Sequence, residues 1–241
     1  MAIEFILLIL GAYLLGSVPA AYLVARWSHG IDLRQYGSGS IGVSNLWQST
    51  SRWIALPIIP YDLGKGMLAV WIAQLVGLDV TQQVIMGLAT IVGHNWSVFL
   101  RFGGGRGMLT AGGVALILPL INGLVPWGII ISLIIAAIGT FAIHSVPLGI
   151  GVGIAALPLV SWAAGEPLPI TLGFLVMFLI MVIKRLAMPR TAISASLGNR
   201  QLIINRLLFD RDIRDRKAWI HRTPLEASST EQPQPEEKEK G

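Results

Sequence analysis

Long apolar segments restrict the fold of this chain more than any other feature. Seven can be counted between residues 3 and 184, each close to the ~20 residues that a helix needs to cross the hydrocarbon core of a bilayer. Charged residues make up only 13% of the chain, and most of them follow residue 183. The sequence therefore predicts an all-α, polytopic membrane protein with about seven transmembrane helices, at residues 3–25, 53–76, 83–100, 108–122, 124–143, 147–164 and 168–184.

The arginine and lysine residues between these segments fall on one predicted side of the membrane. Loops on the other side contain Asp79 and Glu166 but no basic residue. Basic loops are retained in the cytoplasm, so the pattern predicts an external N-terminus and a cytoplasmic C-terminus. The first segment contains Glu4 and lacks a basic leader, which favours a retained span over a cleaved signal peptide. The basic positions are Arg26, Arg34, Arg52, Arg101, Arg106, Lys184, Arg185 and Arg190.

Composition changes after the last apolar segment, and we divide the chain there. Residues 1–190 are predicted to form the membrane domain. Residues 191–222 mix apolar and basic side chains, which predicts an amphipathic helix on an anionic bilayer surface, with a solvated charged helix as the alternative. Residues 223–241 are rich in Pro, Glu and Ser and are predicted to be disordered. In a membrane protein the sequence pI of 9.9 indicates anionic lipid rather than nucleic acid as the partner.

A serine–glycine loop (residues 37–45, GSGSIGVSN) lies on the predicted cytoplasmic side. Its glycines permit positive φ and close approach to a ligand, while the serine hydroxyls and the asparagine amide supply short donors. This arrangement suits an oxyanion, and a flexible polar turn is the alternative. The candidate binding residues are Gly37, Ser38, Gly39, Ser40, Gly42, Ser44 and Asn45.

A glycine loop (residues 101–110, RFGGGRGMLT) lies on the same predicted side. Arg106 is placed to grip a phosphate through its planar guanidinium, and the helix expected from Thr110 onward would add the positive end of its dipole. A basic anchor with a glycine hinge is the alternative. The neighbouring candidates are Gly103, Gly104, Gly105, Gly107 and Thr110.

Ionisable residues inside the apolar segments are a third indication of a site. Asp62 and Lys65 are three residues apart, so a helix would place them on one face as an ion pair, and Lys65 could also add to the positive field around an anion. His94 could accept a proton or act as a hydrogen-bonding support. The chain has no cysteine, which excludes thiolate chemistry and disulfides, and no metal or cofactor is expected.

Taken in order, these segments resemble the acyl-phosphate-dependent glycerol-3-phosphate acyltransferases of bacteria, the PlsY family. The resemblance rests on AYLLGSVPAAYLVAR (12–26), IDLRQYGSGSIGVSN (31–45), DLGKGM (62–67), GHNWSVFLRFGGGRGMLTAGG (93–113) and IKRL (183–186). It implies a seven-span enzyme of the bacterial inner membrane that moves an acyl group from acyl phosphate to the 1-hydroxyl of glycerol 3-phosphate, giving lysophosphatidic acid.

The resemblance also implies where the site lies. Ser38, the glycines around it, Asn45 and the glycine loop would hold phosphate, with Ser38, Arg106 and His94 as the catalytic candidates. The chain departs from the family pattern at Ser40, Ser44 and Arg106, and has Gln48, Leu179 and Val182 where the family usually has polar active-site residues. A non-catalytic or altered-substrate paralogue that binds phosphorylated lipid precursors is therefore one alternative, and a small-anion transporter is another.

Overall fold

The structure, a computed structural model, describes residues 2–189, 194, 196–215 and 218–219. Over these residues the chain is built of helices and turns, with no strand. A 3₁₀ turn, Val98–Leu100, lies between the sixth and seventh helices. The helices are α1 Ala2–Ser17, α2 Ala20–His29, α3 Val43–Ser49, α4 Arg52–Ala55, α5 Ile58–Leu75, α6 Val80–Asn95, α7 Met108–Ile121, α8 Trp127–Ile143, α9 Val146–Ala163, α10 Leu168–Leu186 and α11 Asn199–Phe209.

The prediction of an all-α membrane fold is confirmed. Four helical stretches are long and apolar enough to cross a bilayer, and two shorter apolar helices accompany them at Met108–Ile121 and Trp127–Ala142. The first predicted segment is not one continuous helix, because α1 ends at Ser17 and α2 starts after Pro19. Proline lacks the amide hydrogen that a continuous helix would need at that position. The four long stretches are Ala2–His29, Val80–Leu100, Val146–Ala163 and Leu168–Leu186.

Glycines bring the helices into backbone contact. A Cβ atom on Gly16 of α1 would lie 2.0 Å from the carbonyl oxygen of Thr90 on α6, and one on Gly66 of α5 would lie 2.2 Å from that of Thr110 on α7. A Cβ atom on Gly153 of α9 would lie 2.5 Å from the carbonyl oxygen of Ser132 on α8. Lipid gives helices no hydrophobic reason to associate, so close packing over small residues stabilises such a bundle.

Two apolar clusters place the loops that matter for function. The larger one joins α5, α6, α7, α9 and α10, with Phe174 fully buried at its centre. The smaller one joins α2, α3 and the start of α5, and includes Leu33 and Leu46. Leu109, in the first turn of α7, packs against this smaller cluster. The start of α7, which follows the glycine loop, is therefore packed against the same apolar cluster that holds α3.

The C-terminal helix α11 folds back onto α9 and α10. Arg206 of α11 donates to the carbonyl oxygens of Leu186 at 2.6 Å and Pro189 at 3.3 Å, and its Nε donates to Asp212 at 2.7 Å. Leu202 is buried while Ile203 is about half exposed, so α11 has one face on the bundle and another apolar face uncovered. Contact of this helix with anionic lipid stays a prediction, and the predicted tail at 223–241 lies outside the described residues.

Candidate functional site

Asn45 organises the serine–glycine loop. Its side-chain amide nitrogen donates to the carbonyl oxygens of Leu33, Tyr36 and Ser40 at 2.9, 3.0 and 2.8 Å, and its oxygen accepts from the amide of Ser38 at 2.9 Å. The side chain is only 1% exposed. The hydrogen bonds of Asn45 therefore all go to the loop backbone, where it acts as a clamp; direct contact with a substrate stays a prediction.

The glycines of this loop have different roles. Gly37 and Gly39 have φ values of +53° and +73°, as the sequence predicts. A Cβ atom on Gly37 would lie 2.2 Å from the amide oxygen of Asn45, so a side chain there would also displace the clamp. Gly42 does not use this freedom, because it has φ −96° as the N-cap residue of α3. At that position the backbone is extended to enter the helix.

The serine hydroxyls lie on the accessible side of the loop. Ser38 and Ser40 are half-buried, and Ser44 is exposed. Ser44 accepts a hydrogen bond from Gln48 at 3.1 Å, one helical turn further along α3. The oxygen of Ser38 accepts a long hydrogen bond from the amide of Ser40 at 3.4 Å. This weak contact leaves the Ser38 hydroxyl able to donate to an incoming anion.

The glycine loop is pressed onto the end of α6. A Cβ atom on Gly104 would lie 2.0 Å from the carbonyl oxygen of Asn95, and one on Gly107 would lie 2.6 Å from the side-chain oxygen of the same residue. Gly107, at φ +66°, is the N-cap of α7, so the helix begins at Met108, the first residue of the predicted segment 108–122. Of these two glycines, Gly107 alone needs positive φ, while both need the absence of a side chain.

The ionisable residues below this loop are close together and buried. The predicted Asp62–Lys65 pair is confirmed, with Nζ 2.9 Å from the carboxylate and 3.1 Å from the carbonyl oxygen of Gly16. His94 lies 3.7 Å from the Asp62 carboxylate through Nδ1. Its carbonyl oxygen accepts from the amide of Gly105 at 3.1 Å. These contacts favour a supporting role for His94 and Lys65, and their catalytic and anion-binding roles stay predictions.

Two fully buried polar side chains near the end of α6 and the start of α7 have no hydrogen-bond partner among the described residues. They are Thr110, through its hydroxyl, and Asn95, through both atoms of its amide. The main chain of Asn95 is occupied, because Lys184 of α10 donates to its carbonyl oxygen and lies 5.1 Å from the Trp96 ring centroid. Buried polar groups without partners are uncommon. The Thr110 hydroxyl and the Asn95 amide are therefore donors and acceptors that no other described residue uses.

Arg106 extends from the glycine loop towards the C-terminal segment. Its Nε lies 2.5 Å from the carboxylate of Asp210 as an ion pair, and its Nη2 donates to the carbonyl oxygen of Asp210 at 3.1 Å. The same nitrogen is 3.5 Å from the sulfur of Met188. Sequence reasoning missed Asp210, because it lies 104 residues from Arg106 and no local pattern connects the two.

An apolar cavity of about 200 Å³ begins at Arg106. Arg185 of α10 is the other charged residue in its wall, and this arginine also donates to the carbonyl oxygens of Leu207 at 3.0 Å and Pro147 at 3.2 Å. The remaining wall is almost entirely apolar, with contributions from Leu148, Val152, Ala155, Phe178, Val182 and Leu207. A groove of this composition suits a hydrocarbon chain that carries an anionic head.

The named polar groups of the two predicted loops have different partners. Leu109 packs against the cluster that contains Leu46 of α3. Ser38 contacts Asn45 and Ser40, whereas Arg106 contacts Asp210 and Met188. One anion site shared by both loops stays a prediction.

Comparison with known proteins supplies the family. The model of the family described as glycerol-3-phosphate acyltransferase matches residues 6–192. Glycerol-3-phosphate acyltransferase 4 of Dehalococcoides mccartyi strain CBDB1 is 40% identical over 224 residues, covering 90% of this chain and 94% of the relative. Glycerol-3-phosphate acyltransferase 5 of D. mccartyi strain ATCC BAA-2266 is 39% identical, covering 95% and 98%.

A solved structure agrees with the sequence relatives. The crystal structure of PlsY (YgiH), an integral membrane glycerol 3-phosphate acyltransferase in its glycerol 3-phosphate form, has a TM-score of 0.70 and 26% identity, covering 88% of this chain and 96% of that one. The matched segment contains both loops, the Asp62–Lys65 pair, most of α1 and the helices from α2 to α10. The chain therefore belongs to the glycerol-3-phosphate acyltransferase family.

Proposed function

We propose that the protein acylates glycerol 3-phosphate with acyl phosphate as the donor, giving lysophosphatidic acid. Family membership supports the acceptor and the reaction class. The structural observation that supports acyl phosphate as the donor is the apolar cavity, whose wall contains both Arg106 and Arg185. An acyl chain fits the apolar part, and its phosphate fits the guanidinium groups.

The reaction needs alignment more than it needs a strong nucleophile. The 1-hydroxyl oxygen of glycerol 3-phosphate attacks the acyl carbonyl carbon, forming the ester C–O bond. The bond from that carbon to the phosphate oxygen breaks, and inorganic phosphate leaves with the hydroxyl proton. Acyl phosphate is a mixed anhydride and is already activated, so positioning and fixed donors can supply much of the rate enhancement.

The serine–glycine loop is assigned to the second phosphate. Its half-buried Ser38 and Ser40, held in place by the Asn45 clamp, would bind the phosphate of the acceptor. Arg106 would then face the donor. Separate binding of the two anions reduces the repulsion that a single shared pocket would impose.

The protein would act at the cytoplasmic face of a bacterial inner membrane, with its N-terminus outside. The distribution of basic residues over the loops supports this orientation. Glycerol 3-phosphate would enter, and inorganic phosphate would leave, on the side where Ser44 is exposed, while the acyl donor would enter from the lipid.

Turnover of defined substrates tests the proposal. The purified protein, given acyl phosphate and glycerol 3-phosphate, is expected to yield lysophosphatidic acid and inorganic phosphate in equal amounts. Arg106→Ala and Ser38→Ala are each expected to abolish product while the protein remains folded. Unchanged product formation in both variants would remove these residues from the site.

A non-catalytic paralogue is the second candidate, because the apolar Val182 lines the cavity and Leu179 is 47% exposed. These positions offer no polar group to a substrate. Binding of glycerol 3-phosphate by the wild-type protein without any product would favour this candidate over the enzyme.

A further inference from the structure

The carboxylate of Asp210 lies between two arginines that line the same cavity. One oxygen is 2.5 Å from Nε of Arg106, and the other is 3.8 Å from Nε of Arg185. Both guanidinium groups and the carboxylate are largely buried, with side chains 9–15% exposed. One negative charge therefore separates two positive charges at the polar end of an apolar cavity.

The backbone around Asp210 fixes this carboxylate in place. Asp210 is the C-cap of α11, with φ +56°, and its amide donates to the carbonyl oxygen of Arg206 at 3.1 Å. Arg206 in turn holds Asp212 through a 2.7 Å contact and binds the end of α10 through Leu186. The carboxylate is thus presented from a docked turn rather than from a free chain.

The ion pair with Asp210 leaves part of the Arg106 guanidinium available to a ligand. Nη2 donates to the main-chain carbonyl oxygen of Asp210, Nε lies 2.5 Å from its carboxylate as an ion pair without a hydrogen bond, and Nη1 has no hydrogen-bond partner among the described residues. Two arginines and one aspartate leave a net positive charge at the cavity wall. An oxyanion can therefore still bind, on a guanidinium whose orientation is already set.

We propose that Asp210 is a positioning residue of the acyl-transfer site, which orients Arg106 for the phosphate of the acyl donor. The inference rests on the proposed function, because it takes Arg106 as a donor-binding residue. It also makes the segment from α11 to Asp212 part of the site, although this segment lies beyond the residues 6–192 that the family model matches. The two D. mccartyi relatives align over 90% and 95% of the chain, so their similarity extends through α11.

Steady-state kinetics of the full chain in detergent or liposomes tests the inference. Asp210→Asn keeps the shape of the side chain but removes its charge. We expect the KM for acyl phosphate to rise about tenfold, while the KM for glycerol 3-phosphate changes less than twofold. Asp215→Asn is the matched control, because it removes the same charge from an exposed residue of the same segment, and we expect both KM values to stay unchanged.

A second background separates orientation from folding. In Arg106→Lys, which lacks the guanidinium that pairs with the Asp210 carboxylate, we expect Asp210→Asn to change the KM for acyl phosphate less than threefold, since interacting residues give non-additive effects. An equal effect in both backgrounds would mean that Asp210 acts through the fold, and would overturn the proposal. A lower KM in Asp210→Asn would identify the carboxylate as a competing anion and would also overturn it.

The possible failures can be told apart. Absence of product from the wild-type protein defeats the proposed function, whereas product from wild type with kinetics unaltered by Asp210→Asn defeats this inference alone. If Asp210→Asn does not fold, Asp210→Glu carries the test, because it keeps the charge on a side chain one methylene longer. A raised KM for acyl phosphate with an unaltered melting temperature would then support the proposal, and an unchanged KM would overturn it.

Discussion

Gly105 lies directly against the imidazole of His94. A Cβ atom on Gly105 would be 2.2 Å from Nε2, and the amide of Gly105 donates to the carbonyl oxygen of His94 at 3.1 Å. The loop that carries Arg106 is therefore seated on the last turn of α6 by main-chain contact. The spacing of its glycines reflects the lack of room beneath the loop.

This contact predicts the effect of adding one methyl group. Gly105→Ala must displace either the His94 ring or the loop, so we expect product formation to fall at least about tenfold, with a loss of about 1–3 kcal/mol in the free energy of unfolding. Gly112→Ala is the control, because its nearest neighbour would be Leu63 at 3.7 Å. Turnover and thermal melting of the two variants decide the matter, and equal activity would contradict the close packing.

The clamp formed by Asn45 predicts a second effect. Asn45→Ala removes the four side-chain hydrogen bonds that clamp the serine–glycine loop, so we expect acyl transfer to be lost and the loop to become sensitive to protease. Asn122→Ala is the matched control at the far end of α7, where the amide donates to Gln83 and Leu118 at 2.8 Å. We expect this control to keep its activity, and protection of the loop in Asn45→Ala would contradict the assignment.

The contact between α1 and α6 predicts a difference between two glycines of one helix. Gly16→Ala places a methyl group on the backbone of Thr90, and we expect a loss of about 1–3 kcal/mol in stability. Gly11 is exposed and has nothing within 4 Å of its Cβ position, so Gly11→Ala should leave the melting temperature the same or raise it. Melting curves in one detergent compare them, and equal melting temperatures would argue against this helix contact.

The geometry of Arg106 predicts the outcome of a charge-preserving change. Arg106→Lys keeps the positive charge but cannot use Nε and Nη2 together on Asp210. We expect activity between that of wild type and that of Arg106→Ala, with most of the loss in the KM for acyl phosphate. Kinetics at saturating glycerol 3-phosphate measures this split, and a loss confined to kcat would contradict it.

The ion pair before the serine–glycine loop predicts a pH dependence. Arg34 donates to both carboxylate oxygens of Asp32, at 2.9 and 2.5 Å, and these hydrogen bonds hold the pKa of Asp32 below its usual value. A lowered pKa means that the pair stabilises the fold above about pH 4, and that this contribution is lost as the pH falls through the lowered pKa. Carboxyl NMR titration should show the pKa of Asp32 rising in Arg34→Gln, and an unchanged pKa would contradict the pairing.

Sequence reasoning predicted the features that depend on local pattern. Apolar length identified the segments that became α5 to α10, and the i,i+3 spacing of Asp62 and Lys65 predicted their contact. The break at Pro19 was missed because an apolar run continues through it. The family resemblance, which rests on motif order, was confirmed by the comparisons.

Residue type does not reveal which way a side chain points or which distant residue it contacts. Asn45 has the donors that a phosphate site needs, but these donors turn inward to three carbonyl oxygens. The return of α11 and the contact of Asp210 with Arg106 join parts of the chain that share no periodicity. A charged helix after the last span has the same pattern whether it docks or lies free.

The buried pair on α5 has a consequence for how the protein enters a membrane. With 18 residues, α5 is not among the helices apolar enough to cross a bilayer by themselves. The ammonium of Lys65 reaches the carbonyl oxygen of Gly16 on α1, which the ribosome has already made when α5 emerges. Because α1 precedes α5 in the chain, this acceptor for the Lys65 ammonium is synthesised before the charge that it partners.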